Sequence, residues 1–183
     1  VVRWVEAGGA LLLAADHAPH GSAAEALAAR FGVGMGKGYA FRLTPGGLTA
    51  NLDFLRADGA LGAHPIIVGR SPAERIDHVR TFTGQSLTGP PGATVLMAMK
   101  PEDREAADQA SLQQIRQALD GPGGADALAA LSRPALPAQG LAFEHGAGRV
   151  VVLGEAGMLT AQIVRFAADQ NREPMRFGLN TTG

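Results

Sequence analysis

The chain has 183 residues, of which 46% are hydrophobic and 18% charged, and it carries a formal net charge of −1 at pH 7. That length suits one domain with a real core, and the composition is that of a folded protein rather than a disordered one. Near-neutral charge without a basic run argues against nucleic acid as a partner, no run of about 18 uncharged apolar residues offers a membrane span, and the absence of cysteine excludes thiol catalysis, disulfides and cysteine-bound metals.

VVRWVEAGG, residues 1–9, reads as the last turns of an amphipathic helix closed by a glycine pair, running straight into the apolar strand ALLLAAD. Helix then buried strand is the second half of a crossover unit, so earlier elements of a sheet are expected to precede it. The polar residues Asp16, His17 and His20 follow. SAAEALAARFGV reads as a helix with Ser22 as N-cap and Glu25 completing a capping box, stopping at Gly32. GMGKGY lacks the spacing of a phosphate loop and leaves a helix instead of opening one, which makes it a flexible connection. Residues 40–65 carry turn signals (PGG, ADG, GAHP) and are expected to hold short strands.

RSPAERIDHVRTFTGQSL gives a short helical segment from Ser71, a strand near 79–82, and then the polar group Thr83, Gln85 and Ser86. GATVLMAMK is a strand whose unbroken apolarity suits cover on both faces. Pro101 with Glu102, Asp103 and Glu105 is expected to open a helix reaching Leu119, its acids at the positive end of the dipole. The Ala-, Gly- and Pro-rich stretch that follows reads as loop with one short helix, so that residues 102–137 form an insertion in a single domain spanning 1–183. LAFEHGAGRVVVLGE reads as a hairpin, 141–144 against 149–153, and GMLTAQIVRFAADQ as a closing helix.

Two strands end alike, LLLAAD in His17 and VVVLG in Glu155, each followed by a turn and an expected helix. In an open α/β sheet, ligands bind beyond the carboxyl ends of the strands, which makes Asp16, His17 and Glu155 the candidates for one site.

WVEAGGALLLAADHAP resembles a segment of ThuA-like proteins and, more distantly, the strand and elbow of class I glutamine amidotransferases, while GAGRVVVLGEAG resembles the late strand that delivers the His and Glu of their triad. The ADH…P, TFTGQSL and GRVVVLGEA segments are similar to those of a Cys-less bacterial branch of that superfamily. This resemblance implies a three-layer α/β sandwich with a mainly parallel, flavodoxin-like sheet lacking its first strands, and an earlier strand and an export signal ahead of residue 1. Where an amidotransferase carries its elbow cysteine, this chain has Asp16 and His17. Glutamine hydrolysis through a cysteine thioester is thereby excluded.

A carboxylate and an imidazole side by side, facing a second carboxylate, suit general acid–base chemistry. The expected function is a Cys-independent hydrolase acting on a small ester, amide or glycoside. His17 is the base, Asp16 or Glu155 its partner or acid, and Ser86 a nucleophile if it meets His17, although GQSLTG is not GxSxG. Thr83, Gln85, Arg70 and His20 are the candidates for binding substrate, Arg70 as a clamp for an anion or as the partner of an acid. Asp16, His17, His20 and Glu155 also carry donors that suit Zn or Mn, but neighbours on an extended chain point apart, and no metal or cofactor is expected. The alternative is a catalytically inert domain that binds a small ligand or saccharide, with Asp16 capping a turn and Glu155 placed at a helix N-terminus by its dipole. An uncovered sheet edge predicts self-association into a homodimer.

Overall fold

The computed structural model describes residues 1–45, 47–119, 121 and 137–159, and the backbone of 162–164 and 175–177. Helix α1 (Val2–Glu6) buries Val5 and passes through Gly8, at φ 109°, into strand β1 (Ala10–Ala14). Helix α2 (His20–Ala29) leads to β2 (Gly34–Met35). Then come β3 (Tyr39–Thr44), β4 (Gly47–Thr49), β5 (Asn51–Leu55), the short helix α3 (Pro65–Val68), β6 (His78–Phe82), β7 (Leu87–Thr88) and β8 (Thr94–Ala98). β9 (Asp103–Ala106), α4 (Gln109–Leu119), β10 (Ala138–His145), β11 (Gly148–Leu153), β12 (Gln162–Val164) and β13 (Met175–Phe177) complete the described elements.

The expected flavodoxin-like sandwich is not what forms. The largest sheet has six strands in the order β1-β11-β10-β7-β2, with β8 also pairing β10, and among the described residues β1 with β11 is its one parallel pair. The remaining sheets, β4-β3-β9, β5-β6 and β12-β13, are antiparallel. Strands dominate and helices are few, so the architecture is mostly β in mixed and antiparallel sheets. The misreading has a physical cause, because unbroken apolarity reports that both faces of a strand are covered and says nothing of its neighbour's direction. Successive side chains of β11 show this. Val150 and Val152 enter a core with Val5, Phe31, Leu87 and Leu141, while Val151 and Leu153 pack on the other face against a cluster that includes Leu52, Phe54, Val79 and Leu96. Burying each such valine contributes about 1.5–3 kcal/mol. The hairpin turn at Gly146–Ala147 then returns β10 as an antiparallel β11, where a parallel neighbour would need a crossover helix.

Three further expectations change. Helix α2 begins at His20 without a side-chain cap, so the Ser22–Glu25 capping box does not form, and Glu25 instead accepts a 2.7 Å hydrogen bond from Lys37 Nζ. The helix expected from Pro101 is a strand at its start, since β9 pairs β3 and its acids reach across: Asp103, fully buried, takes a forked pair of bonds from Arg42 at 2.6 and 3.0 Å. A carboxylate held by a guanidinium on the next strand outweighs the weak pull of a helix dipole. The helix that does form, α4, starts after Asp108, whose Oδ1 accepts from Ser111 N at 2.7 Å as an N-cap does. In the expected closing helix, 157–159 is a 3₁₀ turn and 162–164 is strand β12; residues 165–170 lie outside the described residues, as does 122–136 of the expected insertion. No helix among the described residues is long and apolar enough to cross a membrane.

Candidate functional site

The parallel pair β1 and β11 creates the site. Their register sets Ala14 beside Leu153, and Ala15 N donates to Leu153 O at 2.9 Å, so both chains leave the sheet at the same edge. Asp16 and Glu155 therefore emerge together, with Ala156 N approaching Asp16 Oδ2 at 3.4 Å. The turn after β1 folds back on itself, as His17 N donates to Asp16 Oδ1 at 2.8 Å.

The imidazole of His17 is held from two sides. Its Nδ1 lies 2.8 Å from the carbonyl of Ala18, and because a carbonyl only accepts, the ring carries a proton on Nδ1 and leaves Nε2 as its basic nitrogen when neutral. The ring stacks on Tyr39 with centroids 4.1 Å apart and planes 26° apart, and the Tyr39 hydroxyl donates to the same Ala18 carbonyl at 2.9 Å. Nε2 sits 3.7 Å from Asp16 Oδ1, with the His17 side chain 27% and the Asp16 side chain 21% exposed. A proton taken up at Nε2 thus meets a carboxylate, while water still reaches both groups.

Gln85 is fully buried behind this turn. Its amide nitrogen donates to Ala15 O at 2.9 Å and Asp16 O at 2.8 Å, and its Oε1 accepts from Lys37 N at 2.9 Å. It ties the strand end to the glycine-rich turn. The chain reaches this position through two successive left-handed residues, Thr83 (φ 67°) and Gly84 (φ 74°). For a β-branched threonine that conformation costs on the order of 1–3 kcal/mol. It is offset by Thr83 N donating to Ala50 O at 2.7 Å and by Gln139, buried, donating to Thr83 O at 2.9 Å while accepting from Thr81 Oγ1 at 2.6 Å. Replacing Gln85 by Leu keeps the volume but strips the Ala15 and Asp16 carbonyls and the Lys37 amide of their partner; we expect a loss of about 2 kcal/mol in urea unfolding.

Glu155 is fully buried. Its Oε2 accepts from Met158 N at 2.8 Å, while Oε1 has no hydrogen-bond partner among the described residues and lies where a Cβ at position 157 would come within 2.5 Å, so a larger residue there would have to displace the carboxylate. Burial pushes the Glu155 carboxyl up to about 7, and the nearby Asp16 charge adds to the rise, against the pull of the Met158 and Gly157 amides.

The other expected residues are placed elsewhere. Ser86 is buried and its hydroxyl donates to Glu105, whose Oε1 also accepts from Gly38 N at 2.8 Å, so its partner is a carboxylate and not His17. Thr83 is buried and acts through its backbone. Arg70 is exposed and forks onto Glu74 at 2.7 and 3.0 Å, away from this edge. His20 opens α2, its ring 6.4 Å from that of His17. An open groove of about 610 Å³ runs beside Asp16 and His20, with Leu13, Ala14 and Ala15 along one side, Ala23, Ala24 and Leu27 of α2 along the other, and Ala156 completing it; His17 and Glu155 adjoin Asp16 but do not line the groove. Its wall is apolar, with an acid and an imidazole added. Among the described residues no three His, Asp or Glu side chains are grouped to hold a metal ion.

From the sequence, Tyr39 and Gln139 have no expected role, Lys37 lies only in a flexible connection and Glu105 reads only as an acid at a helix start. Tyr39 is the chain's one tyrosine and follows the GMGKG turn, and Gln139 lies in a plain AQG stretch; neither pattern points to a site. Compared with known protein families, curated proteins and solved structures, the chain matches none.

Proposed function

We propose that this chain is a Cys-independent hydrolase of small esters, amides or glycosides, which binds the apolar part of its substrate in the groove beside α2. His17 Nε2 takes a proton from the attacking water and returns it to the departing alcohol, amine or sugar oxygen as the bond to it breaks, and Asp16 balances the imidazolium formed between these steps. The observation that carries this reading is the pairing of a fixed tautomer with a counter-charge: Nδ1 committed to Ala18 O at 2.8 Å, Nε2 facing Asp16 at 3.7 Å, and both partly open to water. Glu155 supports it from behind. Neutral below about pH 7, it leaves the pair Asp16 and Glu155 with a single negative charge next to the histidine. The expected kinship with amidotransferase-like proteins rests on short sequence segments alone, and the parallel three-layer sandwich that it implies is not the fold this chain adopts. Ser86 has no part in the reaction, since its hydroxyl is buried on Glu105.

A second reading, ligand binding without turnover, is favoured by the groove's composition, in which Asp16 and His20 are the only polar side chains among nine lining residues. One experiment separates the two. Purified chain is assayed against nitrophenyl esters, anilides and glycosides, with groove occupancy followed by chemical shifts of Ala23, Ala24 and Leu27. Saturable turnover of one class supports the hydrolase; shifts without turnover in any class select the binding reading.

A further inference from the structure

β1 is the edge strand of the six-stranded sheet, and two hydrogen bonds fix which way its backbone faces: Ala15 N donates to Leu153 O, and Arg149 N donates to Gly9 O. In a parallel pair one residue turns both N–H and C=O toward its neighbour and the next turns both away. The Gly9 carbonyl and both backbone groups of Leu11 and Leu13, with the Ala15 amide, therefore face β11. Ala10, Leu12 and Ala14 send their amides and carbonyls outward, where no strand pairs with them among the described residues. This edge carries no charge, proline or bulge, the usual guards of an open strand, and Leu12 is 59% exposed on it.

The sequence of the edge is itself symmetric. Ala10-Leu11-Leu12-Leu13-Ala14 reads the same in both directions, and its centre, Leu12, is one of the outward-facing residues. We propose that β1 pairs antiparallel with β1 of a second copy of this chain, about a two-fold axis at Leu12. Leu12 then lies opposite the partner's Leu12, and Ala10 opposite the partner's Ala14, each pair exchanging both N–H···O bonds. A register shifted by one residue sets outward groups against inward ones, and a shift by two sets Leu12 against alanine. In the symmetric register Asp16 falls opposite the partner's Gly8, so no like charges meet. The pairing also walls the open side of the groove, whose sheet side is the same edge from Leu13 to Asp16. The inference stands apart from the hydrolase reading, and its test reads association alone.

Sedimentation velocity over a range up to hundreds of micromolar compares the wild-type chain with Leu12→Lys and Leu12→Glu, each alone and mixed in equal amounts. The wild type is expected to dimerise. Each variant alone places like charges across the axis and should weaken the dimer by at least about tenfold, and the mixture should recover it because unlike charges then face each other. In the wild type, amide exchange at Ala10, Leu12 and Ala14 should slow as concentration rises, which decides the matter even if a variant fails to fold. A wild type that stays monomeric with those amides exchanging fast, or a dimer that both variants leave intact, overturns the proposal.

Discussion

Glu155→Gln is expected to abolish most of the pH dependence of folding stability between about pH 5 and 8, and to make the protein more stable than wild type at the alkaline end. The carboxyl's ordinary value is 4.5, and burial among Gly84, Gly157 and the Asp16 turn raises it to about 7 in the folded chain. Between those values the folded state holds a proton that the unfolded state has released, so stability falls as pH rises through the window. Below pH 4.5 both states are protonated and there is no penalty; above about 7 the penalty is complete. The gap corresponds to about 3 kcal/mol. Glutamine keeps the shape and the bond from Met158 N and has no charge to bury, although its amide inherits the site where Oε1 has no partner. Urea unfolding at several pH values checks this. Wild-type stability should drop by about 3 kcal/mol across the window while the variant stays nearly level; parallel curves for the two proteins would refute the assignment.

A buried acid with no charge partner among the described residues calls for an explanation. Next to the partly exposed Asp16 it makes two carboxyl groups in unlike surroundings, one sealed from water and one in contact with it, which is how a site holds one acid protonated beside one that is charged. The same link from fold to charge explains why Gln85 matters although it touches no groove. If its two bonds to the Asp16 turn were lost, the carboxylate would be free to leave both His17 and Glu155.

How much of this the sequence shows differs from residue to residue. That Asp16, His17 and Glu155 leave one sheet edge follows from two apolar runs with similar ends, and β1 and β11 do pair in parallel. The β10–β11 hairpin is also legible in its Gly-rich turn, but the other pairings of the sheet are hidden, because apolarity on both faces is the same signal for a strand under helices and a strand between a helical layer and a second sheet. β9 was hidden for a different reason. PEDRE has the composition of a helix start, and only the position of Arg42 on a neighbouring strand, some sixty residues earlier, turns Asp103 into a cross-strand partner. Polar residues at Thr83, Gln85 and Ser86 looked like a binding surface, yet each is buried and satisfied from within. Sequence displays which side chains are polar; whether they face a ligand or the fold depends on long-range packing that local pattern does not carry.

On the proposed hydrolase reading, His17→Ala should reduce turnover by about 10²–10⁴-fold while leaving the fold in place. The stability cost is small because the ring is partly exposed, the stack it loses on Tyr39 is an interaction of about 0.5–1.5 kcal/mol, and the Ala18 carbonyl that loses Nδ1 keeps the Tyr39 hydroxyl as a donor. The kinetic cost is large because Nε2 is the only basic nitrogen that the turn presents next to a carboxylate. His20, 6.4 Å away ring to ring, has no such partner within the turn to balance its charge. Asp16→Asn provides the complement. It retains an oxygen to accept from the His17 amide but removes the charge facing Nε2, so kcat should fall with KM nearly unchanged, as for a group that acts on the transition state alone. Tyr39→Phe keeps the stacked ring and deletes only the bond to Ala18 O, and should cost far less than either. The pH profile adds a constraint that packing alone would not impose: ionisation of Glu155 near pH 7 puts a second negative charge behind Asp16, so the wild-type rate should bend there and the Glu155→Gln rate should not. If His17→Ala unfolds the chain, or keeps full activity on the same substrate, the turn after β1 is a structural cap and the groove binds without reacting.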